Sequence, residues 1–240
     1  MRIPENHWLI TKPVAHRGLW GGNVIENSLS AYKNAVTNGY PIEIDVYATK
    51  DGQLVSYHDS SLKRLTGESG LIWQKTLDEL KTLRLLGSDE VIPTLDQVLE
   101  VVDGKVPLLI EIKPQKDKKI VEKLVDRLMS YTGEYALQSF NHSYILKVKK
   151  LAPHIIRGIL IYPKNKMKNL FKRFAIAKMP INFLIKPDFI STHYESLPLS
   201  QKKIKDSKVI CWTITNQDSA DMVRPYVDNI IFEHFIPKNW

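Results

Sequence analysis

Short apolar runs alternate with amphipathic stretches along nearly the whole chain. Runs of strand character stand at Pro13–Arg17, Pro41–Val46, Pro107–Ile112, Tyr135–Phe140, Ile156–Ile161, Asp188–Thr192, Lys208–Thr213 and Asn229–Glu233. Between them, apolar positions recur at helical spacing from Leu29 to Val36, where Asn27 or Ser28 suits an N-cap and Gly39 a C-cap. Further helices are expected at Thr94–Val102, Asp117–Ser130, His142–Leu151, Lys166–Ala177, Ser200–Lys205 and Ser219–Tyr226. Strands alternating with crossover helices require a parallel sheet, and eight of them argue for a TIM (β/α)8 barrel, with its active site at the strand C-termini. Residues 59–93 fit no such unit and form a small insertion after the second strand. Only His234–Trp240 follow the last strand, too few for an eighth outer helix, so Trp8, Leu9 and Ile10 are candidates to cover that gap. With no linker, repeat or low-complexity segment, residues 1–240 are expected to form one domain.

One stretch departs from simple alternation. In Pro41–Asp59, the runs Ile42–Ala48 and Leu54–His58 flank Asp51-Gly52, a strong hairpin signal because both central residues of a type I′ turn need positive φ. If that dipeptide is the whole turn, Asp45 sits opposite His58. Glu43 and Asp45, two apart, project from one strand face. Their oxygens suit a hard divalent cation, and an imidazole beside them suits proton transfer.

Composition narrows the classes. The 240 residues carry a formal charge of +8, which favours anionic ligands. Much of the excess lies in Lys164–Lys178, which has six basic residues and no acidic one. That segment reads as the solvent face of a helix or as an amphipathic element on an anionic membrane; with no nucleic-acid motif beside it, nucleic acid is not expected as a partner. No apolar run reaches membrane-spanning length and the first residues lack a signal-peptide core, so a cytoplasmic location is expected. Cys211 stands alone in an apolar run and reads as a core residue.

The polar residues at the strand ends are His16 and Arg17, Glu43 and Asp45, His58, Glu111 and Lys113, Gln138, Trp212 and Asn216. Glu111 and Lys113 interrupt a Leu/Ile run, which is costly unless the charges pair or bind a metal. Mutual pairing of Glu111 with Lys113 or Arg17 is the structural alternative. In order along the chain stand HRG, EN-S, E-x-D, T-x-DG, HD, E-x-K, QSF and WT-x-N. Together, from about Val14 to Ile231, these motifs resemble the glycerophosphodiester phosphodiesterase family, whose fold is a TIM barrel with a small insertion after the HD motif.

The resemblance implies roles. Glu43, Asp45 and Glu111 match the family's metal carboxylates for Ca²⁺ or Mg²⁺, and His16 and His58 its general acid and base. Arg17 and Lys113 match its phosphate-contacting cations, Glu26 and Asn27 the supporting EN pair, and Gln138 and Trp212 the pocket for the substrate's alcohol. The implied reaction is hydrolysis of a glycerophosphodiester to glycerol 3-phosphate and an alcohol. Three other readings compete: a lysophospholipid or other membrane-derived diester as substrate, a barrel that binds phosphodiesters without turnover, and a barrel like phosphatidylinositol-specific phospholipase C. A binding-only barrel should have lost a histidine or a metal carboxylate, yet all five are present. Of the other histidines, His7, His142 and His154 are expected in solvent, and His193, just after the sixth strand, is at most a minor candidate for the mouth of the barrel. Phe232-Glu233-His234 departs from the family, which more often has an aspartate after the last strand.

Overall fold

All eight apolar runs form strands, each within two residues of the expected bounds at either end. The computed structural model describes residues 3–117, 119–163, 184–200, 204, 206–238 and 240. Its strands are β1 Val14–His16, β2 Ile42–Ala48, β3 Leu54–Ser56, β4 Leu108–Ile112, β5 Tyr135–Ser139, β6 Ile156–Ile161, β7 Phe189–His193, β8 Lys208–Ile214 and β9 Asn229–Phe232. The sheet order β1-β9-β8-β7-β6-β5-β4-β2-β3, with a further β1–β2 pairing, is that of a TIM (β/α)8 barrel carrying β3 as an added antiparallel strand. The chain divides into two compact units, one of Ala15–Tyr135 and one of Met1–Val14 with Ala136–Trp240.

In the Ala15–Tyr135 unit, β2 is buried along its whole length and pairs in parallel with β1 and β4. Its helices are α2 Leu29–Thr37, α3 Lys63–Thr66, α4 Leu77–Lys81, α5 Leu95–Val102 and α6 Ile120–Leu128, and α1, Trp8–Thr11, belongs to the other unit. Ser28 caps α2, its Oγ accepting from the Ala31 amide at 3.2 Å. Thr94 and Gln97 form a capping box on α5, which turns Leu95, Val98, Leu99 and Val102 inward.

The hairpin register differs from expectation by one residue. Val46 pairs with Ser56 and Ala48 with Leu54, so Asp45 faces Tyr57, whose amide donates to the Asp45 carbonyl at 3.0 Å. The cause is a loop of three residues, Lys50–Gly52, closed by the Thr49 amide on the Gln53 carbonyl. Gly52 takes φ +85°, as such a loop needs, and Thr49 Oγ1 braces it through Asp51 Oδ1 at 2.5 Å. β3 ends at Ser56, and His58 lies just beyond it.

Residues 59–93 build a core of their own on the hairpin. Leu62, Leu65, Ile72, Leu80, Leu85 and Ile92 pack with Tyr47, Val55 and Tyr57.

In the second unit, β5–β9 pair in parallel in chain order, with α7 His142–Leu151 and α8 Gln217–Val223. Buried Trp8 and Leu9 of α1 stand beside β9, because Asn229 Nδ2 donates to the carbonyls of Leu9 and Lys12 at 2.9 and 2.6 Å. The helix expected over Ser219–Tyr226 starts earlier and ends at Val223, where Pro225 forces a 3₁₀ turn. Lys164–Lys178 and the helix expected at Lys166–Ala177 lie outside the described residues, as does most of Ser200–Lys205. No helix among the described residues is long and apolar enough to cross a membrane.

Candidate active site

Nine of the eleven residues given roles by the resemblance fall in the Ala15–Tyr135 unit, around the ends of β1, β2 and β4. Parallel registry sets Asp45 beside Glu111 and His16 beside Glu43. Oxygens of Glu43, Asp45 and Glu111 lie within 4.8 Å of one another, and all three side chains are buried. Lys113 Nζ stands between two of them, 3.1 Å from Asp45 Oδ1 and 3.0 Å from Glu111 Oε1. The structural pairing of Glu111 with Lys113 is therefore present.

The HRG turn supplies further charge. Gly18, at φ +87°, lets the chain pass against α2, where a Cβ would meet the Ala31 backbone at 2.8 Å. Arg17 then donates its amide to Glu43 Oε2 at 3.2 Å and its Nη1 to Glu26 Oε1 at 2.6 Å. Its Nε lies 3.8 Å from Asp45 Oδ2 and has no hydrogen-bond partner among the described residues. Asn27 Nδ2 donates to Asp45 Oδ2 at 3.0 Å, while Asn27 Oδ1 accepts from the Tyr32 hydroxyl at 2.8 Å. Tyr32 is in turn 2.6 Å from Ser56 Oγ. The EN pair thus orients one cation and one carboxylate.

Electrostatics separates the three carboxylates. Burial raises the Glu43 carboxyl well above its ordinary pKa, and repulsion from Asp45 and Glu111 adds to it. Burial also raises Glu111, against the pull of Lys113. At Asp45 burial is outweighed by Lys113, His58 and Arg17 and by the Asn27 hydrogen bond, so its carboxyl falls below the usual range. An all-oxygen cluster in which burial and mutual repulsion oppose ionisation of two carboxyls has the chemistry of a divalent-cation site.

His58 Nδ1 lies 2.7 Å from Asp59 Oδ1, whose other oxygen accepts from Arg64 Nε at 2.6 Å. Burial lowers the His58 pKa, partly offset by Asp45. Asp59 and Arg64 were not among the residues singled out from sequence. Asp59 stands in the HD motif without a role of its own, and the local cue for Arg64 is an arginine five positions beyond that aspartate.

Gln138 and Trp212 belong to the second unit. Gln138 is buried on β5, and its Oε1 and the indole Nε1 of Trp212 lack hydrogen-bond partners among the described residues. Trp212 meets Phe140 and Tyr162 edge-on, both at 5.7 Å, and Phe140 stacks on Tyr162 at 4.2 Å. His193 joins this group 5.1 Å from Trp212. Asn216 is the N-cap of α8, accepting from the Ser219 amide at 2.8 Å. His154 is exposed as expected, but His7 and His142 are half-buried, because His7 caps α1 and His142 opens α7.

The chain matches the model of the "Glycerophosphoryl diester phosphodiesterase family" over residues 16–236. It is 33% identical over 236 residues to a glycerophosphodiester phosphodiesterase of Caldanaerobacter subterraneus, covering 92% of this chain and 93% of that one. Lysophospholipase D GDPD1 of Rattus norvegicus is 30% identical over 139 residues, 52% of this chain and 43% of its own. Among solved structures, a phosphodiesterase of Oleispira antarctica in complex with the product sn-glycerol-3-phosphate superposes with a TM-score of 0.76 at 25% identity, covering 93% of each chain. The matched span begins at His16 and takes in every residue of the carboxylate and histidine cluster, so the chain belongs to the glycerophosphoryl diester phosphodiesterase family, a family of phosphoric diester hydrolases.

Proposed function

We propose that this chain hydrolyses a glycerophosphodiester to glycerol 3-phosphate and an alcohol, with a divalent cation and two histidines. The observation that carries the proposal is the buried triad Glu43, Asp45 and Glu111, with Arg17 and Lys113 set against it. Oxygen donors alone favour Ca²⁺ or Mg²⁺ over softer metals. Bound there, such an ion supplies Lewis-acid charge to a nonbridging phosphate oxygen.

The chain's own groups do the rest. Arg17 is assigned to a nonbridging oxygen, supported by an Nε without a hydrogen-bond partner among the described residues, and Lys113 adds positive charge where negative charge builds up. His58, neutral and with Nδ1 turned to Asp59, has Nε2 free to take the nucleophile's proton. As the P–O bond to the alcohol breaks, His16 gives its proton to the leaving oxygen. Water or the glycerol's own neighbouring hydroxyl is the nucleophile, and release of a cyclic phosphate identifies the second. Contact with the alcohol is assigned to Gln138 and Trp212, supported by polar atoms that lack hydrogen-bond partners among the described residues.

The test is product release by EDTA-stripped protein given glycerophosphocholine, glycerophosphoethanolamine or lysophosphatidylcholine, with Ca²⁺, Mg²⁺ or neither. Metal-dependent glycerol 3-phosphate is expected, and activity unchanged in EDTA refutes the metal role. Choline from the lysolipid alone moves the substrate to a membrane-derived diester, the reading favoured by the lysophospholipase D relative. In that case anionic vesicles should stimulate turnover through the basic 164–178 segment.

A further inference from the structure

The 59–93 excursion places Asp59 against His58 and Arg64 against the two carboxylates, Asp59 and Glu26, that hold His58 and Arg17. α3 is a single turn anchored by buried Leu62 and Leu65, and it closes at Gly67 with φ +74°. Its outward residue, Arg64, binds two carboxylates at once. Nη1 and Nη2 donate to Glu26 Oε2 and Oε1 at 2.8 and 2.7 Å, a bidentate fork, while Nε donates to Asp59 Oδ2 at 2.6 Å. Each carboxylate also holds a catalytic cation or base. Glu26 Oε1 accepts from Arg17 Nη1 at 2.6 Å, and Asp59 Oδ1 meets His58 Nδ1 at 2.7 Å.

On the two-histidine reading given above, we propose that Arg64 is a positioning residue: it fixes the Asp59 carboxylate that sets the His58 tautomer and the Glu26 carboxylate that aims Arg17. A carboxylate held by both oxygens cannot rotate away from Nδ1–H, so the His58 lone pair stays on Nε2. Only a planar fork reaches both carboxylates; a lysine ammonium offers one point charge. The excursion thus completes the catalytic geometry from outside the strand ends.

Arg64 is half-exposed, so Arg64→Gln should fold. Its kcat for the best glycerophosphodiester should fall by roughly 10–100-fold, as when an outer partner of an active-site group is lost, and by more than KM rises. Arg64→Lys should recover part of the loss, and added methylguanidinium should restore part of Arg64→Gln. At about pH 8, with the ring neutral, ¹⁵N shifts of His58 should report Nδ1–H in the wild type and a tautomer mixture in Arg64→Gln. A kcat within about twofold of wild type overturns the proposal. So does a loss that tracks a lower unfolding midpoint with the His58 tautomer unchanged, which would leave Arg64 a fastener of the excursion. Should the wild type hydrolyse no diester, the functional reading fails while the tautomer comparison still decides the role of Arg64.

Discussion

At the ends of β1, β2 and β4 the side chains are charged and bound to one another, whereas at the ends of β5 to β8 aromatic rings dominate. In the first region Asp45 alone meets Lys113, Asn27 and Arg17. In the second, Trp212 is held by ring contacts, and its Nε1 and Gln138 Oε1 have no hydrogen-bond partner among the described residues. Charges buried in a strand are tolerated only when mutual pairing offsets their desolvation. Aromatic faces pack without that constraint and leave polar atoms free for a ligand. The contrast is between a region whose polar atoms are bound to one another and one in which buried polar atoms lack partners among the described residues.

The largest test of this division is catalytic. His16→Ala and His58→Ala should each reduce turnover by about 10²–10⁴-fold, the range for lost acid–base groups, with thermal unfolding unchanged. Near-normal turnover in either variant would remove that histidine from the mechanism and weaken the assignment of chemistry to the charged region.

Next in size is a stability contrast. Lys113→Met strands Asp45 and Glu111 in the interior and should cost about 3–5 kcal/mol in EDTA, most of it recovered on adding a divalent cation. Gln138→Met, by removing a carbonyl that lacks a donor among the described residues, should shift stability by less than about 1 kcal/mol. Chemical denaturation of both variants measures this, and equal losses would break the comparison.

A smaller effect is expected along the relay behind Asp45. The Tyr32 hydroxyl holds Asn27 Oδ1, and Asn27 holds Asp45. Tyr32→Phe should weaken divalent-cation affinity by about tenfold, the low end for groups that orient a metal ligand. Calorimetric titration of the stripped protein reads this directly, and wild-type affinity in the variant would show that Asn27 needs no anchor.

How much of this was legible in the sequence follows the range of the forces involved. Glu43 and Asp45 could be read from a two-residue spacing, and Glu111 with Lys113 from the cost of charge in an apolar run, both local properties of a strand. The pairing of Asp45 was misread by one residue, because Asp51-Gly52 resembles a two-residue turn and the Thr49 brace that makes it three is a side-chain contact. Arg64 escaped notice because its bonds run to Glu26, 38 positions away, through a four-residue helix with no periodicity of its own. The stacked group of Phe140, Tyr162, His193 and Trp212 comes from four strand ends and leaves no pattern in any one of them.

The smallest expected effect is the pH response of the second unit, where His142 opens α7. Burial holds its imidazole below the ordinary histidine value, against the opposite pull of the Leu160 carbonyl. A depressed histidine favours the neutral ring in the fold, so the stability it brings is present above the ordinary value of about 6.5 and is lost as pH falls through the lower folded value. Asp45, held below the carboxylate range, loses its contribution only below about pH 4, the ordinary aspartate value. In EDTA, His142→Gln should therefore make the stability curve shallower below about pH 6.5, the part due to the likewise depressed His58 remaining, and leave the limb below about pH 4 in place. Urea midpoints of the variant and the wild type across that window measure the difference. An unchanged slope would mean that His142 takes up its proton in the fold as freely as in the unfolded chain, and acid sensitivity would then rest with the charged groups at the ends of β1, β2 and β4.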